Sequence, residues 1–248
     1  MVEIVSPVML ASVIAVCLVS VGAAAGPVAK EVASYLAGKE LQARRSCETV
    51  DDALVVRHRW LLSPVALGSV AGVTCGLTAA WGVGRGVGSL TIIAVPTVAL
   101  LSAACCVDAA CHRLPNRLLA ATACWVLAAE AAAAVIGLAA AGTPATTAWP
   151  VLRAVLCAGG AGGLVLLAAL VPSGLGMGDV KLSAVLGLWL GHLGVAAVVA
   201  GIVLGFVLAG VVAIVLMIAG VVDRKQHIAL GPYLAAGAWL SWILEAVP

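Results

Sequence analysis

The sequence contains several uninterrupted apolar runs of about 20 residues, which is the length that an α-helix needs to cross a bilayer. Such runs leave few choices of fold, because in lipid every backbone N–H and C=O group must be bonded within the protein. Hydrophobic residues make up 64% of the 248 residues and charged residues only 10%, which excludes an ordinary soluble domain. The alternation typical of membrane β-strands is absent from the sequence. The sequence therefore predicts an all-α, polytopic membrane protein.

Hydropathy divides the chain into about eight predicted membrane-spanning helices. They cover residues 4–26, 61–82, 89–107, 117–140, 150–171, 179–191, 195–220 and 229–246. The sixth and seventh belong to one apolar stretch that is too long for a single helix, and we expect a turn at residues 191–194 to divide it. We also expect two parts: residues 1–66, with one span and a polar loop, and residues 67–248, which carry the function.

Basic residues lie almost entirely on one side of these predicted spans. Only Arg85 and Arg153 fall on the other side, while 11 of the 13 lysines and arginines share a side, in segments 27–60, 113–117, 181 and 224–225. Loops rich in lysine and arginine stay in the cytoplasm. The pattern predicts that these loops are cytoplasmic, that both termini are external, and that the protein spans the cytoplasmic membrane several times.

This orientation can be measured with reporter fusions. A reporter fused after Arg57 or Arg224 is expected to read as cytoplasmic, and one fused near Thr143 as external, because of the charge asymmetry. An external signal at Arg224 would mean that residues 179–220 form one span, and the count of eight would then be wrong.

Two aspartates lie at this predicted cytoplasmic face. Asp108 closes the third apolar run, and Asp179 opens the sixth, directly after Gly176-Met177-Gly178. Ionisable groups at the edge of the hydrocarbon are costly and therefore mark functional sites. Two neighbouring carboxyl groups share one proton, because two like charges repel. The ionised member can then activate water, and the protonated member can donate to a leaving nitrogen.

Each aspartate also has a purely structural interpretation. Asp179 could serve only as the N-cap of the sixth helix, a position that favours aspartate. Asp108 could be a loop charge at a helix end. The two glycines before Asp179 favour the functional interpretation, since they leave room for a substrate backbone.

The residues around both aspartates resemble those of the type IV prepilin peptidase family, whose members are membrane aspartyl proteases of the GxGD class. Three segments carry the resemblance: Asp108 with Leu114-Pro115-Asn116, then Gly176-Met177-Gly178-Asp179-Val180-Lys181-Leu182, and finally Gly231-Pro232-Tyr233-Leu234. Their order and spacing agree with the family over about residues 90–245. Leu114 stands where the family more often has isoleucine.

The resemblance implies an aspartic endopeptidase that removes the short basic leader of prepilins or pseudopilins at the cytoplasmic membrane face, cutting after a glycine. It implies that Asp108 and Asp179 are the catalytic pair. It also implies a substrate site built from Pro115, Asn116, Gly176, Gly178, Lys181, Gly231 and Pro232. The expected partners are these pilin-like substrates and membrane lipid, with no nucleic acid; the oligomeric state stays open.

The first polar loop departs from the pattern of many members of the family. Bifunctional members carry two C-x-x-C pairs there, bind zinc, and methylate the new N-terminus with S-adenosylmethionine. Here segment 27–60 has only Cys47, and none of the eight cysteines forms a C-x-x-C pair. Because structural zinc sites need clustered ligands, we predict no metal and no cofactor. Whether the product is methylated stays open.

Other function classes fit the sequence less well. A catalytically silent assembly factor of the same fold would not need both aspartates and their glycines. A transporter would need polar residues deep in several spans, and only Glu130 qualifies, facing either the bundle or snorkelling outward. A presenilin-like protease would need a Tyr-Asp pair, whereas Val107 precedes Asp108.

Two glycine pairs have the spacing that allows close helix packing. Gly159 and Gly163 form one pair, and Gly201 and Gly205 form the other. The spacing places both glycines of a pair on one helix face. We expect both pairs to serve helix packing within one chain, with dimerisation as the alternative.

Overall fold

The computed structural model describes residues 7–46, 59–112, 114–141, 144–171, 175–220 and 229–246, and these residues form helices and short connections without strands. The sequence predictions that concerned Arg113, residues 47–58, 172–174 and 221–228 lie outside the described residues. The α-helices of the described part are α1 Pro7–Ala23, α2 Ala29–Ser46, α3 Pro64–Gly84, α4 Gly88–Cys111, α5 Asn116–Ala141, α6 Pro144–Leu170, α7 Met177–Gly191, α8 Val195–Ile218 and α9 Gly231–Glu245.

Six helical stretches among the described residues are long and apolar enough to cross a membrane. They comprise Pro7–Tyr35, α3, α4, the Asn116–Ala139 part of α5, the Ala148–Leu170 part of α6, and α8. The prediction of an all-α, multi-pass membrane protein is thereby confirmed. Helices α7 and α9 have 15 residues each, or about 22 Å, which is short of the hydrocarbon thickness of about 30 Å. The count of eight spans and the external termini remain predictions.

The first helix continues well beyond the predicted end of its span at residue 26. A turn of π-helix, Ala24–Val28, joins α1 to α2 and contains Pro27. Proline removes a backbone donor and usually ends or kinks a helix. Here the wider turn accommodates it, and the helix runs on to Ser46 through the polar segment that was expected to be a partly helical loop.

Helix α7 lies in the centre of the bundle. Leu182, Leu186, Trp189 and Leu190 are fully buried in its core. It packs closely on α6, because a Cβ atom at Gly187 would lie 2.6 Å from the carbonyl oxygen of Cys157. A helix enclosed in this way has little contact with lipid, which explains why it can be shorter than a bilayer.

The glycine pair in α8 serves helix packing within the chain, as expected. A Cβ atom at Gly201 would lie 3.1 Å from the Cα atom of Ala238, and one at Gly205 would lie 2.8 Å from the Cα atom of Leu234, both in α9. The expectation for α6 is wrong, since Cβ atoms at Gly159 and Gly163 would meet no atom within 4 Å. Spacing alone does not tell which face of a helix meets a neighbour.

The end of α4 differs from the sequence prediction in a way that matters for the site. The third span was expected to end at residue 107, which would leave Asp108 in a loop. Helix α4 instead continues to Cys111 and ends at His112, which adopts the left-handed conformation with φ of 49°. Asp108 therefore lies in the last turn of α4, and only 5% of its surface is exposed.

Candidate active site

Asp108 is bound by the first residue of a distant helix. Its Oδ2 atom accepts a hydrogen bond from the backbone N–H of Gly231, at 3.0 Å, and the bond is buried. Gly231 begins α9, so this N–H has no partner within its own helix. A helix N-terminus carries a partial positive charge and favours a carboxylate. The sequence separation of 123 residues makes this contact a feature of the tertiary fold.

Glycine is the only residue type that fits at position 231 without displacing the carboxylate. A Cβ atom there would lie 2.5 Å from Oδ2 of Asp108 and 3.2 Å from its Cγ atom. A contact of 2.5 Å is not tolerated between a Cβ atom and a non-bonded neighbour. The absent side chain of Gly231 therefore determines how closely α9 approaches Asp108.

Asp179 is held in a similar way at the start of α7. Gly176 is the N-cap residue of that helix, and Asp179 is the third residue of its first turn. Oδ2 of Asp179 accepts a hydrogen bond from the backbone N–H of Gly176, at 3.1 Å. A capping box consists of two bonds: the side chain of the third helical residue accepts from the N-cap N–H, and the N-cap side chain accepts from the N–H of the third residue. Only the first bond is possible here, because Gly176 has no side-chain oxygen. Asp179 is thus not the N-cap residue, although one of its oxygens helps to close the helix end.

The two carboxyl groups lie close enough for their charges to interact. Each of them receives its glycine N–H on Oδ2. Chemically, the arrangement can bind a water molecule between two acidic groups and transfer protons to and from it.

Two contacts tie the α4–α5 connection to the start of α7. Nζ of Lys181 donates a hydrogen bond to Oδ1 of Asn116, at 3.0 Å. A Cβ atom at Gly178 would lie 3.2 Å from Cδ1 of Leu114. The sequence analysis placed Lys181 among the basic residues of the cytoplasmic face and in the substrate site that the resemblance implies. The structure gives it a side-chain partner from the first turn of α5.

The remaining residues of the predicted substrate site line two separate depressions. Pro115 lies in a cleft of about 660 Å³ between α2 and residues 114–118, where Glu31 forms an ion pair with Arg117. Pro232, next to Gly231, lies in an apolar groove of about 390 Å³ between α3, α4 and α9, which we call the α3–α4–α9 groove. The predicted site residues therefore surround the two aspartates but do not form one continuous pocket.

Glu130 faces the bundle, and the alternative of outward snorkelling is wrong. Its side chain is 6% exposed, and Oε1 lies 3.2 Å from Nδ1 of His192. Arg153 lies nearby and donates from Nε to the carbonyl oxygen of Gly191, at 2.8 Å, and from Nη2 to that of His192. These groups close the C-terminus of α7, about 20 Å along the helix from Asp179. They are not part of the aspartate site.

Metal-ligating residues do not cluster in the described ranges. Among those residues, no group of three or more histidine, cysteine, aspartate or glutamate side chains is placed to hold a metal ion. The prediction that the protein binds no zinc rests on the dispersed cysteines of the sequence and remains a prediction.

Replacement of Gly178 tests whether its lack of a side chain matters for the site. Gly178→Val is expected to lower the rate of substrate cleavage at least about tenfold, because its branched side chain would press on Leu114 and move Asp179. Gly178→Ala should be milder, since a shift of Leu114 by a few tenths of an ångström accommodates it. Cleavage rates should be compared with the amount of protein in the membrane. Normal cleavage by Gly178→Val would favour a purely structural role for Asp179.

Comparison with known proteins places this geometry in a family. The sequence model of the type IV leader peptidase family matches residues 95–219. No curated protein and no solved structure matches the chain. The matched segment includes Asp108, the whole of segment 176–181 and the α4–α5 connection, whereas α9 with Gly231 lies beyond it. The match extends over half of the chain, and the chain belongs to the type IV leader peptidase family.

Proposed function

We propose that the protein is an intramembrane aspartyl endopeptidase that removes the basic leader peptide of prepilin-like or pseudopilin proteins. The observation that carries the proposal is the pairing of Asp108 and Asp179. They come from different helices, their charges interact, and each is held through one oxygen by the N–H of a glycine. Family membership supports a peptidase that acts on prepilin-like substrates.

The proposed mechanism uses one proton shared by the two carboxyl groups. The ionised carboxylate removes a proton from a water molecule held between the pair, and the water oxygen attacks the carbonyl carbon of the scissile peptide bond. The protonated carboxyl group donates a hydrogen bond to the carbonyl oxygen. A proton then passes to the leaving nitrogen as the C–N bond breaks, and the pair returns to its starting state.

The residues around the pair are proposed to admit the substrate backbone. Gly176 leaves space beside Asp179, whereas the missing side chains of Gly178 and Gly231 allow Leu114 and the Asp108 carboxylate to approach the backbone closely. Lys181 and Asn116, joined by their hydrogen bond, hold the start of α7 against the α4–α5 connection and thereby hold Asp179 in place. We propose that Lys181 and Asn116 contribute to substrate binding by forming part of the rim of the site.

The charge distribution supports a cut at the cytoplasmic face of the cytoplasmic membrane. The basic segments that predict a cytoplasmic location adjoin both aspartates in sequence. A substrate with a basic leader keeps that leader on the same side for the same reason. Enzyme and scissile bond would then meet at one membrane face.

Co-expression with a prepilin-like substrate tests the proposal. We expect the substrate to lose its leader, and N-terminal sequencing of the product should identify a single cut after a glycine, just before the apolar segment. A substrate that keeps its leader, although both proteins are present in the membrane, would contradict the proposed activity. The same N-terminal analysis reports whether the product is methylated.

A further inference from the structure

The α3–α4–α9 groove begins beside Asp108 and leads away from it. Ala109 of α4 and Pro232 of α9, the immediate neighbours of Asp108 and Gly231, line one end. The other end lies at Val98 of α4 and Trp239 of α9. Val98 and Ala109 are 11 residues apart, so the groove extends about 16 Å along α4.

Three polar side chains in the walls of this groove already have hydrogen-bond partners. Thr74 of α3 and Ser102 of α4 share a hydrogen bond of 3.0 Å between their hydroxyl oxygens. Nε1 of Trp239 donates to Oγ1 of Thr78, at 2.9 Å. Nε1 of Trp189, another wall residue, is buried without a hydrogen-bond partner among the described residues, and the rest of the lining is mainly carbon and sulfur. Such a lining favours apolar side chains.

One end of the groove lies next to the aspartate site, since Ala109 and Pro232 adjoin Asp108 and Gly231, although neither aspartate lines the groove itself. The groove opens to the outside of the bundle along its edge. Val70, at that edge, is 36% exposed. A peptide bond held at Asp108 would place the residues on one side of it directly at the mouth of the groove. The apolar lining and the position of the groove suit an apolar segment that lies within the membrane.

We infer that the α3–α4–α9 groove binds apolar side chains of the substrate segment that follows the scissile bond. This inference rests on the proposed function, and it adds a second recognition element to the aspartate site. The groove volume of about 390 Å³ is at the lower end of the range of ligand pockets. It accommodates a few side chains from one face of the substrate helix and leaves the other face in lipid.

A second groove provides a matched control. It lies between α6 and α8, has a volume of about 410 Å³, and is lined by apolar residues that include Leu156, Gly160 and Val199. Arg153, which bonds the C-terminus of α7, also lines it, so this groove lies toward the end of the bundle away from Asp179. If lipid chains simply fill any groove of this kind, substitutions in the two grooves should have equal effects.

The first experiment fills each groove with one additional side chain. Ala236→Leu narrows the α3–α4–α9 groove, and Gly160→Leu narrows the control groove, where a Cβ atom meets nothing within 4 Å. Two substrates are compared: a synthetic single-span protein with a basic leader, and a short peptide that ends soon after the scissile bond. For Ala236→Leu, the ratio of kcat/KM for the membrane substrate to that for the peptide should fall about tenfold. For Gly160→Leu, this ratio should stay at the wild-type value.

Two outcomes would overturn the inference. One is an unchanged ratio in Ala236→Leu, and the other is an equal fall of the ratio in both variants.

The second experiment uses a native cysteine and does not depend on how the filled variants fold. Cys105 lines the α3–α4–α9 groove. Cys105 lies three residues before Asp108 in α4, about 4.5 Å along the helix. A cysteine placed about one helical turn beyond the scissile bond of the membrane substrate should therefore form a disulfide with Cys105 under oxidising conditions. The protein carries Asp179→Asn to retain the substrate. Cys105→Ala should abolish the product, and Gly160→Cys added to Cys105→Ala should not restore a cross-link.

The two proposals fail in distinguishable ways. If Asp179→Asn still cleaves the substrate, the catalytic assignment fails, whatever the cross-linking shows. If Asp179→Asn is inactive and retains the substrate but Cys105 does not cross-link, the groove assignment fails and the catalytic pair stands. Equal cross-linking at Cys105 and at Gly160→Cys would also overturn the groove assignment.

Discussion

Asp108→Asn and Asp179→Asn are each expected to reduce leader cleavage by about 10⁴-fold or more. Asparagine keeps an oxygen that can accept the N–H of Gly231 or of Gly176. It cannot take a proton from water or deliver one to a leaving nitrogen. The change therefore removes the proposed chemistry and preserves the structural bond of each aspartate.

This distinction also makes the experiment informative about the structural interpretation. If either aspartate only closes a helix end, asparagine should support nearly normal cleavage. The initial rate of cleavage of a prepilin-like substrate should be measured for each variant, together with the amount of protein in the membrane and its resistance to thermal unfolding. Inactive variants that are inserted and folded like the wild type would support the catalytic assignment; near-normal processing by either variant would contradict it.

Gly231→Ala is expected to lower the cleavage rate by about 100-fold. The added methyl group would lie 2.5 Å from Oδ2 of Asp108. Either the carboxylate rotates away or α9 retreats from α4, and in both cases the hydrogen bond between Gly231 and Asp108 is lost. Asp108 then no longer holds its position relative to Asp179.

Gly210→Ala provides the matched control for this prediction. Gly210 lies in α8, and a Cβ atom there meets nothing within 4 Å. Both substitutions add one methyl group to an apolar helix, so they should have similar effects on membrane insertion. Cleavage rates normalised to the amount of inserted protein should fall only for Gly231→Ala. Equal rates for the two variants would show that the close approach of α9 to Asp108 is not needed for activity.

The sequence allows the elements of the fold to be predicted well, because most spanning helices have their own apolar run. Helices α7 and α8 share one run, and the turn between them was correctly placed at residues 191–194 because that run is too long for a single helix and contains Gly191 and Gly194. The continuation of the first helix was missed. Pro27 and the polar residues after it indicate the end of a membrane span, but they do not forbid a helix that continues beyond it.

The candidate site could be predicted only where its signal is local. Asp179 and its two glycines are adjacent in sequence, so their association needs no knowledge of the fold. The contact between Asp108 and Gly231 depends on which helices pack together, and hydropathy carries no such information. Gly231 was expected in the site through the family resemblance alone. Its specific contact is a backbone hydrogen bond, which a side-chain pattern does not reveal.

The α3–α4–α9 groove illustrates the same limit. Its walls come from three helices, and Thr74, Ser102 and Trp239 look like isolated polar residues of apolar runs in the sequence. Only the packed structure shows that hydrogen bonds between helices satisfy them. The polar group that was visible in the sequence, Glu130, belongs instead to the far end of α7.

The most direct test of the catalytic pair is to compare the double variant with the two single variants. Cleavage of a prepilin-like substrate by purified Asp108→Asn, Asp179→Asn and the double variant should be followed until the residual rates can be measured, with the cut located by mass spectrometry. If the two carboxyl groups act as one unit, the double variant should be no slower than either single variant. If the double variant is instead slower than either single variant, and its loss of rate equals the product of the two separate losses, the two carboxyl groups act independently. That result would contradict the account.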